Sequence, residues 1–133
     1  MKRFLGWAVA LSCGLSSFAQ AQDSTTEPEA AATGDAVTGS AAVLRGLDKV
    51  NGRTADAEVA IGGSTELLGL LVTVVDCRYP ADNPTGDAYA FLTIRDPNNG
   101  AVEFEGWMIA SSPALSALDH SRYDIWVLRC NSA

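Results

Sequence analysis

The stretch Leu67-Leu68-Gly69-Leu70-Leu71-Val72-Thr73-Val74-Val75-Asp76-Cys77-Arg78-Tyr79 is the most strongly β-forming run in the chain. It is largely apolar and rich in β-branched side chains, which pack well on a pleated surface and poorly against the turns of a helix. Strict alternation puts Leu71, Thr73, Val75 and Cys77 on one face. Downstream, the polar segment Pro80-Ala81-Asp82-Asn83-Pro84-Thr85-Gly86-Asp87 reads as a loop. Two further strands, Ala88 to Arg95 and Ala101 to Ala110, flank Asp96-Pro97-Asn98-Asn99-Gly100, a turn in which Gly100 takes the left-handed position of a bulged hairpin. A last strand, Arg122 to Cys130, places Trp126, Leu128 and Cys130 on one face, so that Val75, Cys77, Trp126 and Cys130 are expected in one core. Upstream, Val43 to Val50 and Arg53 to Ile61 flank Asn51-Gly52, a pair suited to a two-residue turn. One short helix is expected where Ser112 can cap, Pro113 can occupy the first turn, and Leu115 and Leu118 can face the sheet. The fold class is therefore all-β: a small antiparallel sandwich or open barrel of about six to seven strands with one short helix.

The remainder of the chain is different in kind. Of 133 residues, 47% are hydrophobic and 19% charged, with a net charge of −7. Residues 1–21 have the parts of a signal peptide: Lys2 and Arg3, an apolar stretch from Phe4 to Leu15, and the small-residue ending Ala19-Gln20-Ala21. That stretch is too short for a membrane span, which takes roughly 20 apolar residues. Cys13 lies in a weaker lipoprotein-like box, the less favoured processing route. Cleavage after Ala21 removes two of nine basic side chains and no acidic one, leaving 112 residues at −9. Residues 22–42 carry four acids, no base and no aromatic side chain, the composition of a disordered acidic linker. The domain proper is expected at 43–133. With no basic surplus, nucleic acid is not an expected partner. After export the two remaining thiols, Cys77 and Cys130, are expected to form one disulfide, worth roughly 4 kcal/mol by loop-closure entropy.

Several residues invite a chemical reading. His120 is the single histidine, and Ser111, Ser112, Ser116, Asp119 and Asp124 lie near it in sequence. A strained Gly-x-Ser-x-Gly turn is lacking, so a local hydrogen bond describes His120 better than a hydrolase triad does, and no catalytic residue is assigned. Glu103 and Glu105 share a strand face at a spacing glycosidases use, although paired carboxylates more often solvate the outside of a sheet. Asp82 to Asp87 offers oxygen ligands for calcium, but Thr93 stands where a bidentate Glu would be needed, which favours turn chemistry. No metal or cofactor is expected. If Val102, Phe104, Gly106 and Met108 face the core, Trp107 points outward beside Glu103 and Glu105 as a recognition patch. Arg45, Lys49 and Arg53 form the one basic concentration, a second candidate contact for an anionic partner.

The string Gly106-Trp107-Met108-Ile109-Ala110-Ser111-Ser112-Pro113-Ala114-Leu115-Ser116-Ala117-Leu118-Asp119-His120, continued by Tyr123-Asp124-Ile125-Trp126-Val127-Leu128-Arg129-Cys130, resembles the signature of a family of small exported proteins of Gram-negative bacteria classed as a domain of unknown function. The opening Val43 to Thr54 and the run Val72 to Cys77 resemble it as well, so the likeness covers residues 43–130. It implies no catalytic residue. It implies a partner, the periplasmic side of respiratory NADH dehydrogenase (complex I), and thus a non-enzymatic periplasmic accessory domain. Trp107, Arg45, Lys49 and Arg53 are the candidate partner-binding residues. A carbohydrate- or envelope-binding β-module built on Trp107 is the alternative expectation.

Overall fold

The computed structural model describes residues 35–133. The leader, Cys13 and residues 22–34 of the expected linker lie outside the described residues. Among those described, eight strands form: β1 (Ala36–Thr38), β2 (Ala41–Asp48), β3 (Thr54–Ala60), β4 (Ser64–Leu67), β5 (Leu70–Pro80), β6 (Tyr89–Arg95), β7 (Val102–Ile109) and β8 (Tyr123–Asn131). All pairings are antiparallel. One sheet has the order β1-β5-β6-β7, with β4 also paired to β5; the other has the order β3-β2-β8. Leu44, Ile125 and Val127 from the smaller sheet meet Val72, Val74, Leu92, Ile94 and Met108 from the larger one in a single buried cluster. The all-β sandwich expectation holds, with a strand count above the expected range.

Two departures raise the count. The 22–42 linker does not extend to 42, because Ala36–Thr38 pairs with β5 and Ala41 and Ala42 are buried at the start of β2. Between them the chain crosses from one sheet to the other at Gly39, whose amide donates to the Cys77 carbonyl at 2.8 Å while the Ser40 amide donates to the Asn131 carbonyl at 2.9 Å. The Leu67–Tyr79 run is not one strand either. It folds back at Leu68-Gly69, pairing Leu67 with Leu70, and Leu68 takes φ +60°. A β carbon on Gly69 would come within 2.6 Å of the Tyr123 ring, so the turn is pressed onto the start of β8.

The alternation expected for the two cysteine strands is broken by bulges. Val74 pairs with Leu92 and Asp76 with Phe91, which leaves Val75 extra. Likewise Val43 pairs with Arg129 and Leu44 with Val127, which leaves Leu128 extra. An inserted residue shifts every later side chain to the opposite face. The inward series on β5 is therefore Leu70, Val72 and Val74, then Cys77 and Tyr79, with Val75 49% exposed. On β8 it is Ile125 and Val127, then Cys130, with Trp126 turned outward and half-buried. The disulfide Cys77–Cys130 forms, with Cα atoms 5.8 Å apart, but Val75 and Trp126 are not its core neighbours.

The turn between β2 and β3 is also not the two-residue type. The Asp48 amide donates to the Arg53 carbonyl and the Gly52 amide to the Asp48 carbonyl, both at 2.8 Å. Asn51 uses its side chain instead of a left-handed backbone, its Oδ1 accepting from the Arg53 amide. The β6–β7 turn repeats this pattern with Asp96, Asn99, Gly100 and Ala101. Gly52 and Gly100 sit at φ +75° and +72°, so Asp-x-x-Asn-Gly builds both hairpins.

In place of the expected helix there is one 3-10 turn, Pro113–Leu115, and Ser112 makes no side-chain cap. Leu115 is 78% exposed and only Leu118 enters the core. The reason is topological. Strand β7 ends at Ile109 beside Tyr89, near the disulfide, whereas β8 begins at Tyr123 beside Asp48 at the far end. Residues 110–122 must therefore run back along the length of the sandwich, and they do so as irregular chain with the single 3-10 turn. They cover the seam where β7 and β8, the edges of their sheets, approach each other.

Candidate functional site

His120 has a local role. Its Nδ1 accepts from the amides of Arg122 (3.1 Å) and Tyr123 (3.0 Å), and its ring stacks on Tyr123 at 5.4 Å. Those bonds turn the seam segment into β8 and bring no serine or carboxylate to the ring nitrogen. Ser111 instead donates its hydroxyl to Asp87 at 2.7 Å. The Asp82–Asp87 loop does not gather its oxygens: Asp87 also accepts from the Ala88 and Ser111 amides, and Asn83 accepts from Thr85 within the turn. Among the described residues, no group of three or more His, Cys, Asp or Glu is placed to hold a metal ion. Burial opposes the charged form of Asp87, but the bonds from Ser111, Ala88 and Tyr89 outweigh it and hold this carboxyl below the ordinary carboxylate range.

The basic residues lie apart from Trp107. Arg45 is on the outer face of β2, in the smaller sheet, and grips Asp56 with two bonds of 2.7 and 2.9 Å. That pairing raises the Arg45 pKa and lowers that of Asp56. Lys49 donates to the His120 carbonyl, and Arg53 is exposed at the end of the turn. Arg45 and Lys49 are thus engaged within the fold. Arg122, which sequence reasoning passed over, makes the more buried pair: its guanidinium donates twice to Asp48 Oδ2, at 2.8 and 3.1 Å, and lies 5.2 Å over the Tyr123 ring. Asp48 is 5% exposed, and the Arg122 bonds hold its carboxyl below the usual range against the opposing effect of burial.

The outer face of the larger sheet is of another character. Cross-strand pairing sets Phe91 opposite Trp107 and Tyr89 opposite Ile109. The Phe91 and Trp107 rings meet edge to face, 5.4 Å between centroids, an arrangement that fixes the indole while leaving the residue 42% exposed. Beside it Ala36, Arg78, Tyr89, Trp107 and Ile109 line a shallow apolar depression of about 270 Å³. One wall is braced: Arg78 is held by Asp76 at 2.8 Å. The expectation for β7 holds for Trp107 and Glu105, which point outward, and for Phe104 and Met108, which pack inward. It fails for Val102, because Glu103 is a third bulge: Ile94 pairs with Phe104 but Arg95 with Val102. Val102 is accordingly 49% exposed. Phe91, Ile109, Arg78 and Ala36 were not singled out by sequence. Phe91 and Ile109 were findable, since each alternates in phase with a neighbouring outward aromatic.

Residues 42–130 match the family described as "Uncharacterized protein conserved in bacteria (DUF2155)". The chain belongs to this family. No curated protein and no solved structure matches it. The DUF2155 region runs from the second residue of β2 to Cys130, the later cysteine of the disulfide. It contains the disulfide, all three bulges, Trp107 and the seam segment 110–122, while β1, with Ala36 at the rim of the depression, lies before it.

Proposed function

We propose that this DUF2155 protein is a non-enzymatic accessory domain of the periplasm that docks on a protein partner through the outer face of its larger sheet, around Trp107. The apolar depression beside Trp107 carries this reading. Exposed aromatic anchors next to a pocket are the usual energetic centre of an interface, and here the indole is held in place before any partner arrives. The disulfide is compatible with an oxidising compartment, and the signal-like leader accords with export. The signature resemblance supplies the partner, respiratory complex I on its periplasmic side. Arg45, Lys49 and Arg53 lie off this docking face, on β2 of the smaller sheet and the turn that follows it.

Affinity purification of the tagged, exported protein from detergent-solubilised membranes tests the reading. The expected result is co-elution of respiratory subunits, lost on Trp107→Ala while the urea midpoint stays near that of the parent. Recovery of the protein alone, or co-elution indifferent to Trp107→Ala, overturns it. The carbohydrate- or envelope-binding reading draws on the same Trp107–Phe91 platform beside Glu105. Trp107-dependent retention on peptidoglycan or polysaccharide resin would establish that reading in its place.

A further inference from the structure

The chain enters the fold at the rim of the Trp107 depression. Ala36, the first residue of β1, is one of its lining residues, and the preceding Asp35 is exposed, with its main-chain carbonyl accepting from the Ala81 amide at 3.0 Å. The sequence leading to that fixed point is acidic. Residues 22–35 hold Asp23, Glu27, Glu29 and Asp35 and no Lys or Arg. Six residues span at most about 22 Å and eight about 29 Å, so Glu29 and Glu27 stay within those distances of Asp35 whatever path the chain takes. The other charges around the depression do not offset these acids. Arg78, the one base lining it, is bound by Asp76 at 2.8 Å, a pair without net charge. On the β7 side Glu105 lies two residues from Trp107 with its side chain on the same face. Three ion pairs form among the described residues, Arg45–Asp56, Arg78–Asp76 and Arg122–Asp48, and Glu105 is in none of them. The depression is thus an apolar hollow with acid on its β1 and β7 sides. At about 270 Å³ it is smaller than the pockets of about 300–1,000 Å³ that enclose a drug-sized ligand, and it suits one large side chain.

We infer that the protein partner seats one apolar side chain in this depression and carries Lys or Arg beside it, facing the acids of residues 22–35. The inference rests on the reading of this face as a protein interface and specifies the chemistry of what docks there. The apolar anchor supplies affinity, since Trp107, Tyr89 and Ile109 shield it from water. The bases around it speed encounter and select the partner, because opposite potentials attract while like-charged surfaces are held off. The same acids disfavour other occupants. A second copy of this chain brings its own acidic segment, and an anionic lipid surface or a nucleic acid is repelled as well.

Random peptides displayed on phage and selected on the disulfide-bonded exported protein are the probe. Selected sequences should combine an apolar or aromatic residue with Lys or Arg within a few positions of it, and synthetic copies should lose binding to Trp107→Ala at an unchanged urea midpoint. A full-chain variant with Asp23→Asn, Glu27→Gln, Glu29→Gln and Asp35→Asn leaves every residue of the buried core as it is. The peptides should bind this variant roughly tenfold more weakly at an ionic strength of about 0.01 M, where charges act over about 30 Å. The difference should shrink below about twofold at about 1 M, where they act over about 3 Å. Trp107-dependent binding that ignores the four substitutions, or selection of acidic or uncharged sequences, overturns the inference while leaving the docking face in place. Binding indifferent to Trp107→Ala overturns the docking face as well, so the two failures are separable. Self-association in sedimentation that Trp107→Ala abolishes would put a second copy in the depression and likewise overturn the inference.

Discussion

Replacing both Cys77 and Cys130 with alanine isolates what the cross-link contributes. The cysteines are 53 positions apart, so the bond closes a loop of that order in the unfolded chain, and loop-closure entropy assigns it roughly 4 kcal/mol. That is about three decades in the folding equilibrium, a large part of the 5–15 kcal/mol typical of a domain. The folded state should nevertheless survive. The same gap between the sheets is bridged by main chain, with Gly39 bonded to the Cys77 carbonyl and Ser40 to the Asn131 carbonyl, and both alanine side chains would be buried without a polar atom. Urea unfolding followed by the fluorescence of Trp107 and Trp126 checks this. The double variant should unfold in one cooperative transition, with stability lower by roughly 4 kcal/mol and a steeper urea dependence, since the uncrosslinked chain exposes more surface. A loss below about 1 kcal/mol would refute the unfolded-state account. Loss of the cooperative transition would refute the claim that the Gly39–Ser40 crossing holds the sheets in register unaided.

Two further outcomes follow from the same geometry. Gly39→Ala would set a β carbon 2.5 Å from the Asn131 carbonyl oxygen and 3.3 Å from Cys130 Cβ, so the crossing must move; destabilisation of about 1–3 kcal/mol is expected in urea with the disulfide still formed on mass analysis, and an unchanged midpoint would show that the crossing is loose. Asp48, Asp56 and Asp87 all have folded pKa values below the ordinary one, so each stabilises the fold above that ordinary value and loses its contribution as pH falls through the folded value. The urea midpoint should hold steady from neutrality to roughly pH 5 and fall below it, less steeply in Asp48→Asn, whereas a midpoint constant down to pH 3 would contradict the assignment.

The parts of this fold that were legible in the sequence are those set by local chemistry. β-Branched runs gave strands, Asp-Pro-Asn-Asn-Gly gave a turn with Gly100 left-handed, and alternation along β7 put Trp107 outside. The errors of side-chain facing share one cause. Reading alternation across a bulge assigns the wrong face, and no residue type announces a bulge at Val75 or Leu128: both are ordinary strand formers. The bulges are fixed by pairing with Leu92 and Phe91 across β5–β6 and with Val43 and Leu44 across β2–β8, which is information from other strands. The expected helix that does not form has a similar origin. Pro113 and the leucines are compatible with a helical turn, but the distance residues 110–122 must cover is set by where β7 stops and β8 starts.

The two bulges also explain why the cysteines, paired from the sequence by their number alone, meet in the core although alternation misplaced Val75 and Trp126. Each bulge lies two residues before its cysteine, and each reverses the strand's inward face there. Both cysteines therefore turn inward together, one parity change answering the other across the sandwich. On β5 the residues displaced outward are Val75 and, beyond the bulge, Asp76 and Arg78, and these border Phe91 and Tyr89 on the outer face. The local irregularity that admits the disulfide to the core thus also puts the Asp76–Arg78 pair at the edge of the Trp107 depression. Without the bulge, Val75 would take the place opposite Phe91 and every later residue would slip by one, turning Cys77 and Tyr79 outward and Arg78 inward and breaking the disulfide and the wall of the depression in a single step. The cross-link and the docking face are therefore two consequences of one inserted residue.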